Sequence, residues 1–245
     1  MQAPIRMGIL WCMHCLRTAL AEWEEDQTRP FEIKCVMDAK ASVSCRQCSG
    51  RASTCIPAAT AMLGDCQDLS DLLAWAHKTF WLDWVDEGDS DGVAFYDWPY
   101  STETRRVVAE KMMELCKSFD ASEQAHRKEH ELTGNKAQVK QTRADYNAFL
   151  VGRRSALPPV AAPNFFNTRE QRVARFSKGL VRLLPGDEGY VLWTLAKRVF
   201  FEGISAEVRE AQDGLDSDVD DNASLGGDEM EERTMMDFPV PLEEI

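Results

Sequence analysis

The chain has 245 residues, with 28 lysines and arginines against 41 acids and a formal net charge of −13. Its apolar fraction of 44% suffices for the core of one or two domains. The most apolar stretches, such as Met7–Leu16 and Val191–Ala196, are too short to cross a bilayer, so no membrane span is expected. The charge is uneven. Residues 203–245 hold 14 acids against Arg209 and Arg233, whereas residues 1–202 are close to neutral. The acidity therefore belongs to the C-terminal stretch and does not exclude a polyanion contact elsewhere.

In chain order, residues 1–66 are cysteine-rich and short of apolar periods, with a brief helical stretch at Leu16–Trp23. Such a segment builds little core of its own and needs another source of folding free energy. Residues 67–88 read as an amphipathic helix with Leu69, Leu72, Leu73, Ala76, Phe80 and Trp84 on one face, Asp68 as N-cap and Gly88 at its end. Asp86–Gly92 is a solvated acidic turn without the spacing of a calcium loop. A second helix starts near Ser101 and carries Val108, Met112, Leu115, Cys116 and Phe119, with Cys116 as a small buried hydrophobe. From Ala121 to Leu150 the pattern turns polar, which suits a long exposed helix or a partly disordered arm. Within it His126 and His130 have metal-ligand spacing, but the charged run HRKEH predicts a solvated face.

Ala156–Pro163 is a proline-rich linker. After it Thr168 and Gln171 form a capping box, followed by a helix with Val173, Phe176, Leu180 and Leu183 on its apolar face. Arg169, Arg172, Arg175, Lys178 and Arg182 share a side of that helix and are the candidate polyanion contact. Tyr190–Phe201 is apolar nearly all round, as in a buried helix, and Gly203 should stop it. The acidic tail beyond is expected to be disordered, with Met235, Met236, Phe238, Val240 and Leu242 suited to docking on a partner. Only Phe31–Met37 and Val93–Tyr96 look extended, so the expected class is mainly α. The expected organisation is a cysteine-rich module (1–66), a helical region (67–155), a linker (156–166), C-terminal helices (167–202) and a disordered acidic tail (203–245).

Six of the eight cysteines lie between Cys12 and Cys55: a C-x2-C pair (Cys12, Cys15), then Cys35, then C-x2-C-x6-C (Cys45, Cys48, Cys55). The two-residue gap lets both thiolates of a pair face one ion in a tight turn. Two such pairs, each followed by a third cysteine, point to zinc, one or two ions, which would supply the missing folding free energy. The open alternative is one four-thiolate site of Cys12, Cys15, Cys45 and Cys48, with Cys35 and Cys55 as bystanders. His14, inside the first pair, is a competing ligand.

Cys45-Arg46-Gln47-Cys48 through Cys55, with the interval from Cys35 to Cys45, resembles the second half of a fungal Zn(2)Cys(6) binuclear cluster. The resemblance implies two zinc ions held by Cys12, Cys15, Cys35, Cys45, Cys48 and Cys55, with Cys12 and Cys45 as the bridging pair. It covers about residues 12–55. The family reads DNA through a basic stretch between its second and third cysteines. Here that interval is Leu16–Lys34, longer and containing AEWEED, so DNA binding by this module is not expected.

No nucleotide-binding or hydrolase signature is present, and a non-enzyme is expected. The residues point to a zinc-binding intracellular regulatory or protein-interaction protein, nuclear or cytoplasmic and transcription-linked, whose partner meets the acidic tail or a helical face. The alternative is a secreted, disulfide-bonded, effector-like protein, because Arg6, Met7–Leu16 and Ala19-Leu20-Ala21 imitate a signal peptide. If zinc holds residues 12–55, chelation should unfold that segment and leave the helices of 67–202.

Overall fold

A computed structural model describes residues 11–25, 28–36, 44–81, 100–157 and 179–217, with side chains to residue 210. The described residues form helices α1 (Met13–Ala21), α2 (Arg46–Gly50), α3 (Leu63–Trp81), α4 (Thr102–Glu129), α5 (Lys140–Ser155) and α6 (Tyr190–Ser217), with 3-10 turns at Thr60–Met62 and Gly134–Gln138. No strand occurs among them, and the class is mainly α, as expected. Phe31–Val36, expected to be extended, has no regular secondary structure. No described helix is long and apolar enough to cross a membrane.

The helix α4 is the platform. The Ser101 hydroxyl accepts the Thr104 amide at 3.0 Å, satisfying one of the amides a helix start leaves open. Val108, Met112, Leu115, Cys116 and Phe119 then fall on one buried face, as their periodicity predicts. Against this face lie α1, α3 and α6. Phe119 is the meeting point, with Trp11 edge-on at a centroid distance of 5.7 Å and Trp193 of α6 edge-on at 5.3 Å. Trp11, Met13, Leu16 and Phe31 thus share one core with α3, α4 and α6.

Several elements depart from expectation. Because α3 starts at Leu63, Asp68 is not its N-cap. The Asp68 carboxylate instead takes both arms of the Arg182 guanidinium, at 2.9 and 2.7 Å. Leu69, Leu72, Ala76 and Phe80 are buried as the stripe requires. Residues 121–150 are helical and exposed over much of their length, as expected, but not throughout. Ser122, Glu123 and His126 of α4 are fully buried, and Tyr146 and Leu150 of α5 pack against Ala61 and Val181. The physical reason is that Glu123 pairs across the fold with Arg17 and the Ala59 amide, and Nε2 of His126 with Tyr146, which offsets much of the cost of burying them.

Nor is α6 buried all round: Val191 is 75% exposed, and Leu192, Leu195 and Val199 are also exposed, while Trp193, Phe200 and Ile204 enter the core. Gly203 does not stop this helix, which continues to Ser217. Lys111 of α4 lies against Gly203, and Val208 packs on the core, so tertiary contact carries the chain past the glycine. At the entry to α6, Gly189 has φ +88°, and a Cβ there would lie 2.7 Å from the Ser122 carbonyl oxygen, so only glycine lets this turn meet α4. The expected Trp84–Gly88 helix end, the Asp86–Gly92 turn, the Val93–Tyr96 strand, the Pro158–Pro163 part of the linker, the Thr168–Gln171 box and the tail beyond 217 lie outside the described residues.

Asp65, in the first turn of α3, is buried and accepts the Leu183 amide at 2.9 Å. Burial pushes its carboxyl up to about 7, against the opposing pull of that amide. An acid whose pKa is raised by folding keeps its proton in the native state after the unfolded chain has lost it. Its contribution to stability therefore falls as pH rises from about 4 to about 7 and is constant above. Asp65→Asn keeps an acceptor for Leu183 and removes the titration. It should match the parent near pH 4.5 and exceed it at pH 8 by about 2–4 kcal/mol in urea unfolding. A difference that does not change with pH would contradict this, because groups common to both proteins cancel.

Candidate metal centre

The two C-x2-C pairs occupy equivalent local positions. Cys12 is the N-cap of α1 and Cys15 lies in its first turn; Cys45 is the N-cap of α2 and Cys48 lies in its first turn. Both N-caps are extended, with ψ of 156° and 162°, before the chain turns helical. The Cys48 amide donates to Cys45 Sγ at 3.4 Å, and the Cys45 amide donates to Cys55 Sγ at 3.1 Å. At the start of α2 backbone amides thus face sulfur, whereas Cys12 makes no such cap bond in α1. Pairing of the Arg46 amide with the Val36 carbonyl at 2.9 Å carries the chain bearing Cys35 alongside α2. The Met13 amide pairs with the Ile56 carbonyl at 2.8 Å and brings the chain beside Cys55 to α1.

The two helix starts face each other crosswise, with Cys12 Sγ 3.6 Å from Cys48 Sγ and Cys15 Sγ 3.5 Å from Cys45 Sγ. Two four-sulfur groups result, Cys12-Cys15-Cys35-Cys45 and Cys12-Cys45-Cys48-Cys55, each with its sulfurs within 4.8 Å of one another. Cys12 and Cys45 belong to both. A tetrahedron of thiolates at about 2.3 Å from an ion has edges of about 3.8 Å, so the sulfur separations fit the donor set of a metal. They are far from the roughly 2.05 Å of a disulfide, and all eight cysteines are free. Cys35 and Cys55 are members of these groups, one in each. Cys66 and Cys116 sit apart, in the main helical core.

Electrostatics favour replacing protons with an ion. Burial pushes the thiols of Cys15, Cys48 and Cys55 up, and that of Cys35 up to about 11. Burial also opposes ionisation of Cys45, but the Cys48 amide and the thiols of Cys15, Cys48 and Cys55 all donate to it and bring it down to about 6. Without an ion, several thiols crowd round one thiolate. Divalent ions would let the remaining thiols ionise in the same buried space. His14 belongs to neither group; its Nδ1 lies 3.8 Å from Cys48 Sγ, where it acts on the sulfur from outside.

The centre is fastened to the helical core by charge. Arg17 of α1 donates to Asp120 at 2.8 Å and to Glu123 at 3.3 Å on α4. Glu123 also accepts Arg127 and the Ala59 amide, the latter at 3.2 Å, just after the last ligand Cys55. Sequence periodicity carries no trace of this network, since Glu123 falls in a run that reads as solvent-facing. The expected basic helix is not matched where it can be followed. Arg182 lies in a non-helical stretch and is paired with Asp68, which removes it as a polyanion contact. Arg169, Arg172, Arg175 and Lys178 lie outside the described residues. The run HRKEH is solvated only in part: Lys128 and Glu129 are exposed, whereas His126 is fully buried.

The chain matches no family model, no curated protein and no solved structure. What the fold and site define is a class: a mainly helical protein whose cysteine-rich N-terminal part carries a cluster fitted to bind metal.

Proposed function

We propose that the chain is a zinc-bound regulatory or protein-interaction protein of the nucleus or cytoplasm, in which two zinc ions shared by Cys12 and Cys45 lock the N-terminal part onto α4. The observation that carries this reading is the pair of four-sulfur groups with two members in common. Four-thiolate tetrahedral sites suit zinc, whose closed coordination shell supplies structure without reactivity. Intracellular compartments keep such thiols reduced. Cys35 serves one ion only and Cys55 the other.

The partner surface we assign is the exposed row Val191, Leu192, Leu195 and Val199 of α6. Leu192, Leu195 and Val199 line a groove of about 290 Å³, with Lys111, Glu114 and Lys117 of α4 on its other side. Lys197 and Arg198 stand on the same helix, so the occupant that fits is an amphipathic partner helix with acidic flanks. Duplex DNA is not the expected ligand of the N-terminal part. Residues 1–66 carry seven basic against seven acidic side chains, and six thiolates with two zinc ions add about −2.

Native mass spectrometry of the full chain, with metal analysis, tests the reading. Two zinc ions per chain and no shift of duplex DNA are expected. Leu195→Asp with Val199→Asp should abolish binding of an acidic amphipathic peptide and leave the zinc content at two. A chain that takes up no zinc under reducing conditions would overturn the proposal.

A further inference from the structure

At the end of α4, far in sequence from the cysteines, His126, Glu129 and His130 each place one donor atom within 4.8 Å of the others. The helix sets this up, because residues three and four apart share a face. His126 is completely buried, and its Nδ1 has no hydrogen-bond partner. Nε2 of His130 is likewise buried and unpartnered, 3.6 Å from Glu129 Oε2. A buried polar atom without a partner is costly, and two on adjacent rings is an arrangement that folded proteins seldom keep without use.

The surroundings hold these rings in place. Nε2 of His126 lies 3.2 Å from the Tyr146 hydroxyl of α5, which also accepts the Ala61 amide at 3.1 Å. Phe149 stands against His130 at a centroid distance of 4.5 Å. The Glu188 amide donates to Glu129 Oε2 at 3.3 Å and steadies the carboxylate. The nearby guanidiniums of Arg127 and Arg153 are paired with Glu123 and Asp187, which offsets their repulsion of a cation.

From this juxtaposition we infer that His126, Glu129 and His130 form a second metal site, separate from the cysteine cluster, that takes one zinc ion through two imidazoles and one carboxylate. Binding at His126 Nδ1 selects the tautomer with its proton on Nε2, where it donates to the Tyr146 oxygen, the supporting bond that ligating histidines characteristically make. Borderline ions such as Zn²⁺ and Co²⁺ suit two imidazoles and a carboxylate, whereas calcium prefers oxygen ligands alone. Three protein ligands leave a fourth position for water. Glu129 is largely exposed and His130 partly so, which lets both close on the ion by side-chain rotation while His126 stays fixed.

The test uses the full chain with its cysteines already saturated with zinc, and Co²⁺ as the probe. One cobalt ion should bind with weak visible bands and without the intense near-ultraviolet thiolate-to-cobalt absorption that a cysteine site produces. Glu129→Gln and His130→Gln should each weaken this binding by about tenfold or more and leave the zinc content of the cysteine cluster unchanged. Both positions reach solvent, so neither change should prevent folding; circular dichroism checks this. No cobalt uptake beyond the cysteine sites, uptake carrying thiolate absorption, or affinity unaffected by both substitutions would overturn the inference.

Discussion

Cys45→Ser is expected to release both ions, whereas Cys35→Ser and Cys55→Ser should each release one. Cys45 is a member of both four-sulfur groups, but Cys35 and Cys55 belong to one each. A serine hydroxyl in place of the shared thiolate leaves each ion three sulfurs, with Cys12 as the one remaining bridge. Structural zinc binding is worth about 10–16 kcal/mol in small peptides, comparable with the whole stability of a domain. The consequence should reach beyond residues 12–55. Trp11, Met13 and Leu16 flank or belong to the first helix start and lie in the same core as Phe119 and Trp193. Loss of metal should therefore loosen α4 and α6 together with α1, in one transition. This replaces the expectation that chelation leaves the helices of 67–202 intact. Native mass spectrometry counts the ions, and tryptophan fluorescence with circular dichroism during thermal unfolding tests the coupling. Two well-separated transitions in the Cys45→Ser chain, or retention of one ion, would contradict it.

Glu123→Ala should destabilise the protein by about 3–5 kcal/mol, lowering Tm by roughly 10 °C. The carboxylate is fully buried and serves Arg17, Arg127 and the Ala59 amide at once. Its removal leaves the Ala59 amide without its acceptor and takes one partner from each of two guanidiniums, Arg17 keeping Asp120 and Arg127 the Pro57 carbonyl, which costs more than the net worth of any single bond. Glu123→Gln keeps an acceptor for Ala59 but not the charge, and should fall between the parent and alanine. Glu131→Ala, at an exposed pair with Lys136, is the control and should cost no more than about 1 kcal/mol. Because Arg17 stands two residues after Cys15 and Ala59 four after Cys55, Glu123→Ala should also speed zinc loss to a chelator. Equal chelation rates for the parent and Glu123→Ala would show that the network does not brace the metal centre.

Local pattern carried most of what was legible in the chain. The cysteine spacings placed two pairs in tight turns, and both are found at helix starts. The stripe Leu69, Leu72, Ala76 and Phe80 and the face Val108 to Phe119 are buried because helical periodicity projects those side chains to one side whatever they meet. Ser101 is a start signal that works through a bond to a residue three positions on. Each of these depends on neighbours within a few residues, and such information is written along the chain.

What only the tertiary structure decided depends on groups far apart in sequence. Glu123 and His126 read as solvent-facing because they are polar. They are buried because Arg17, Ala59 and Tyr146 come from other segments to pair with them. Val191 and Leu195 read as core because they are apolar, yet α6 has only one face against α4 and leaves them exposed. Gly203 reads as a stop, and packing overrides it. Composition and periodicity by themselves determined a mainly helical protein and the six thiols of a metal cluster. The crosswise meeting of two helix starts, the sharing of Cys12 and Cys45, and the pairing that makes polar burial affordable in free energy arise only when distant segments desolvate one another's charges.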